Sequence, residues 1–149
     1  MQRRFILLLG VSLAVMLGNA APAQAASRTV WSGLVIANNV EKPDPIPAEL
    51  NQLEGKLKQL FGYNQFKVIG QSQKALVTGT EDWLASSKYF SLHVDSKGSS
   101  DAGYVLTLKL YQEKNLLIET DAKLSKASPF VIKGPQVGDG QLLLVLLVQ

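Results

Sequence analysis

The chain has 149 residues and no cysteine, with 46% hydrophobic residues, 18% charged residues and a formal net charge of +3. That length holds one ordinary domain, and the apolar fraction excludes a disordered tail. Without cysteine no disulfide can staple the fold, so its stability must come from a packed core.

The N-terminus reads Met1-Gln2-Arg3-Arg4, then an apolar run from Phe5 to Leu17, then small residues ending in Ala23-Gln24-Ala25. A short cationic start, an apolar stretch and an A-x-A site define a secretory signal peptide, with cleavage expected after Ala25. The run falls short of the roughly 20 apolar residues that a spanning helix needs. Residues 1–25 are therefore expected to be removed, leaving 26–149 as one globular domain with no membrane span, secreted or periplasmic. Without Arg3 and Arg4 the balance is 13 Lys+Arg against 12 Asp+Glu, and Arg28 is the one remaining arginine. Nucleic-acid binders gather basic residues on one face and use the arginine fork for phosphate. The even spread of lysines here predicts no nucleic-acid partner.

Along the remaining chain, Thr29 to Ala37 is rich in strand formers, and Asn38 to Pro47, with Pro43, Pro45 and Pro47, is a stiff connector. A helix is expected over Ala48–Phe61, because Leu50, Leu53, Leu57, Leu60 and Phe61 fall on one stripe. Pro47 suits its first turn and Gly62 its end. Short strands are expected at Phe66–Ile69 and Ala75–Gly79, separated by Gly70-Gln71-Ser72. Apolar residues then alternate over Lys88–Asp95, Tyr104–Tyr111 and Leu116–Leu124, with Leu116, Ile118, Thr120, Ala122 and Leu124 expected inward in the last. Period two over three successive segments is an antiparallel signal. Ser96–Gly103 and Gly134–Gly140 read as loop and turn, with Phe130–Lys133 short between them.

The terminal segment, Leu142 to Val148, is apolar at every position and does not alternate. It reads as a central strand covered on both faces. The sharper alternative places Leu142, Leu144 and Leu146 at an interface that completes a partner's sheet. A membrane barrel would need more lipid-facing alternating strands than this chain offers.

His93 is the only histidine, and on a strand it shares a face with Ser91 and Asp95. Side chains at i and i+2 project in parallel, whereas a nucleophile and its base must converge, so no triad is expected. One histidine without cysteine predicts no zinc site. In Asp95–Asp101, Lys97 takes a position where a calcium loop needs oxygen, so no metal is assigned. The glycines of 134–140 lead into a strand, whereas a phosphate cradle leads into a helix. Trp31 reads as core. Trp83, Tyr89 and Tyr111 read as surface aromatics able to stack on a ligand.

The sequence thus predicts an α+β fold, mainly antiparallel sheet or sandwich, with one amphipathic helix packed on it. The expected function is an exported, non-enzymatic binding or assembly domain with a protein partner in the envelope or outside the cell. It needs no cofactor, carries no catalytic residues, and leaves its oligomeric state open. The alternative is a carbohydrate- or lipid-binding carrier module using Trp83, Tyr89 and Tyr111. A third reading, a small hydrolase, would draw Glu81, Asp82, Asp95 and Asp101 together from separate segments.

Overall fold

The computed structural model describes residues 29–100, 103–126 and 128–149. The proposed leader lies outside the described residues. Among the described residues, eight antiparallel strands make two four-stranded sheets, with one short helical segment. The first sheet has the order β2-β1-β8-β7, from β1 (Val30–Asn38), β2 (Gln65–Lys74), β7 (Phe130–Val137) and β8 (Gly140–Val148). The second has the order β3-β4-β5-β6, from β3 (Glu81–Ser86), β4 (Phe90–Ser100), β5 (Gly103–Gln112) and β6 (Asn115–Leu124). Within each sheet, neighbours are consecutive in the chain except where β8 returns to pair with β1. This is the antiparallel α+β sandwich that the alternating pattern predicted.

The sheets pack face to face through the inward row of each strand. Leu92, Val94, Leu106, Leu108 and Leu110 from the second sheet meet Leu34, Leu142, Leu144 and Leu146 from the first. The opposite face of the first sheet is covered by the helical segment. There Leu50, Leu53 and Leu57 lie on Trp31, Val35, Leu143 and Val145. β8 is therefore buried on both sides, which is why its sequence is apolar throughout. Its two edges are both paired, to β1 and to β7. Leu142, Leu144 and Leu146, considered above for an interface, sit at 0–1% exposure between the sheets and serve the core.

Several elements differ from the sequence expectation. The helix begins as a 3-10 segment over Ala48–Leu53 and becomes α only in α1 (Glu54–Phe61). Within the stripe Leu50, Leu53 and Leu57 are buried, while Leu60 points to solvent. Strand β2 runs unbroken through Gly70-Gln71-Ser72, and Ala75–Gly79 is not a strand. The register shifts opposite Leu34/Val35, which interrupts its alternation. A Cβ at Gly70 would run into the Ser86 carbonyl, so glycine there permits close approach of the two sheets, not a turn.

Strand β3 escapes the pattern because a bulge between Trp83 and Ser86 turns both Leu84 and Ala85 inward. Ser96–Ser100 continues β4 and pairs with β5 as far as Ser100 opposite Gly103, where the sequence read a loop. Likewise β7 extends to Val137, accommodating Pro135 at a register shift on an edge strand. A further shift at Leu110/Tyr111 leaves Leu116 48% exposed instead of inward.

Eight strands is also the number in the smallest membrane barrels, so the strand count does not separate the two architectures. Polarity does. The space between the sheets is apolar, and the outer face of the second sheet carries Lys97, Glu119, Asp121 and Lys123, which do not belong against lipid. Among the described residues no helix is long and apolar enough to cross a membrane.

Candidate functional site

One sheet has both faces covered, and the other has its outer face open. On that open face the strand register sets side chains in rows. Trp83, His93, Lys109 and Glu119 form one row across β3 to β6, and Glu81, Asp95, Thr107 and Asp121 form the next. Tyr111 stands one step along β5, opposite Ser91 and Leu116.

Trp83 is the centre of this surface. Half of it is exposed, at 50%, yet it is held from three sides. Its ring meets His93 edge-on at 4.9 Å between centroids and leans on Tyr111 at 5.7 Å. Its backbone is bracketed from the other sheet, since the Lys74 ammonium donates to the Trp83 carbonyl at 2.7 Å and to Asp82 at 3.1 Å. Asp82 in turn accepts the Trp83 amide at 2.8 Å. The hydrogen bond from Lys74 holds the Asp82 carboxyl below its ordinary range, so this bracket is an ion pair at neutral pH.

His93 packs beneath Trp83 with its Nε2 3.2 Å from Glu81, while its Nδ1 is buried without a partner. A carboxylate oxygen can only accept, so His93 Nε2 is the donor to Glu81. Neither Ser91 nor Asp95 engages the imidazole in this arrangement, in keeping with the parallel projection of i and i+2 residues. Asp95 instead pairs with Lys97 at 3.0 Å. That hydrogen bond, aided by the fields of Asp121 and Glu81, raises the affinity of Lys97 for its proton.

The sequence-predicted aromatics divide. Trp83 and Tyr111 are brought together. Tyr89, 53% exposed, stands just before β4 and has the Lys88 ammonium 5.4 Å from its ring centroid. Its carbonyl accepts the amide of Glu113, so it marks the end of the same strand pair. Trp31 is core, at 3% exposure, lying over Gly33 where a Cβ would collide with its ring. Sequence reasoning missed Lys74, whose contact crosses between sheets and leaves no periodic signal, and it saw His93 only as a failed triad member.

Of the four carboxylates weighed for hydrolysis, Asp101 lies outside the described residues. Glu81 and Asp95 are cross-strand neighbours, but each is already engaged, one by His93 and one by Lys97. Among the described residues no group of three His, Cys, Asp or Glu side chains is arranged to hold a metal ion. Comparisons with protein-family models, with curated proteins and with solved structures find no match for this chain.

Proposed function

We propose that this chain is an exported, non-enzymatic binding domain that presents the open face of the β3–β6 sheet to its partner in the envelope or outside the cell. The observation that carries the reading is Trp83. An exposed tryptophan with no task needs no bracket, whereas this one is fixed by Lys74, His93 and Tyr111 while half its surface faces solvent. Ordering an aromatic anchor before contact lowers the entropy lost on binding. The sequence of residues 1–25 supports export.

The carrier alternative divides along its two ligand classes. Between the sheets the space is filled by leucine and valine side chains, so a lipid would have to enter the largely apolar hollow of about 510 Å³ at the β4–β6 end of the sandwich, lined by Tyr104, Val105 and Leu124. A ligand that stacks on the surface is favoured by the pairing of Trp83 with Tyr111.

The test is a photo-cross-linking amino acid placed at Lys109 on the open face, and in a second protein at Lys67 on β2, in cells producing the full chain. The proposal expects a discrete adduct from position 109 that disappears with Trp83→Ala, no such adduct from position 67, and an exported product beginning at Ala26. Adducts indifferent to Trp83, or an uncleaved cytoplasmic product, would count against it.

A further inference from the structure

We infer that the ligand of the open face is a glycan chain, laid across β3 to β5 with successive sugar rings on Trp83 and Tyr111. This rests on the reading of that face as a binding surface and names the chemistry it selects.

The argument is one of hydrogen-bond complementarity around a fixed ring. A protein partner meeting Trp83 as a hot spot would need a dry, uncharged zone about it, since interface centres are depleted in charged residues. The nearest outward side chains are instead Glu81, His93, Asp95 and Lys109. Burying such groups under an apolar partner costs them the hydration they keep beyond the Glu81–His93 and Asp95–Lys97 pairs. A polyhydroxylated ligand replaces that water with hydroxyls, which both donate and accept, so carboxylates and lysine are satisfied alike. Its C–H faces meanwhile rest on the electron-rich face of the indole and phenol rings. The ring centroids of Trp83 and Tyr111 lie 5.7 Å apart at 57°, with Trp83 half exposed and Tyr111 half-buried beside it. An open sheet face admits an internal stretch of a long chain.

Isothermal titration of the purified chain with cellohexaose, chitohexaose and laminarihexaose, backed by a glycan array that includes soluble polysaccharides, tests this. The expected result is saturable binding to at least one class with a Kd below about 1 mM. Trp83→Ala and Tyr111→Ala should each weaken it tenfold or more with unchanged circular dichroism. Glu81→Gln should bind within a few-fold, and Leu60→Ala, on the helix, should match the parent. Binding that survives Trp83→Ala, or silence across the whole array, overturns the glycan assignment. Silence combined with a Trp83-dependent protein adduct at position 109 would overturn the glycan while leaving the surface in place. Silence on both removes the surface as well.

Discussion

Lys74, the last residue of β2, reaches out of its own sheet to hold Asp82 in the edge strand of the other, 3.1 Å away. Through Asp82 and the Trp83 carbonyl this one cation fixes the edge that bears the candidate site. Lys74→Met should therefore loosen Trp83 more than it destabilises the fold. Because both partners are partly exposed, the stability loss should stay below about 1 kcal/mol. The mobility of Trp83, read by fluorescence anisotropy, should rise clearly. A loss of several kcal/mol with unchanged anisotropy would reverse that assignment of roles.

The same bracket sets a dependence on acid. Asp82 has its carboxyl held low by the hydrogen bond from Lys74. A depressed carboxylate contributes its stability above the ordinary Asp value and loses it as pH falls through the lowered one. The parent and Lys74→Met should thus differ in melting temperature at pH 6 and converge in acid, below the ordinary value near 3.8. A gap that widens on acidification would contradict the ion pair.

Two glycines should respond with opposite signs. Gly70→Ala drives a methyl into the Ser86 backbone where the sheets approach, which costs about 1–3 kcal/mol. Gly55→Ala meets nothing within 4 Å inside α1 and should stabilise by up to about 1 kcal/mol. Urea denaturation of the two variants reads both values.

The buried leucines offer a check on the layers. Leu144→Ala empties a site that is 1% exposed between the sheets and should cost about 2–5 kcal/mol. Leu60→Ala, 66% exposed although the helical stripe includes it, should change stability by no more than about 0.5 kcal/mol. Equal losses at the two positions would mean that the helix docks with a different face.

These contrasts also mark what the chain reveals of itself before folding. Strand β5 was legible because Tyr104, Leu106, Leu108 and Leu110 alternate without interruption, and β8 because a strand buried on both faces has no polar side to show. β3 was not, since its bulge sends Leu84 and Ala85 inward together and breaks the period that would have announced it. Ser96 to Ser100 reads as loop because glycine and serine carry no apolar alternation, yet backbone pairing to β5 holds them in the ladder. At the candidate site the rings could be named from composition. Their placement together depends on register, and the hold on Trp83 depends on Lys74, a contact between two sheets that no local spacing encodes.

The measurement that bears most directly on this account is an NMR titration of the two tryptophan indole N–H resonances. Trp31 donates its proton to Gln71 at 2.9 Å beneath the helical cover, while Trp83 stands on the open face. With a bound oligosaccharide, the Trp83 resonance should move together with the amides of His93, Lys109 and Tyr111, and Trp31 should stay still. Movement of Trp31 and the helix with Trp83 unchanged would place recognition on the opposite side of the molecule and contradict the account.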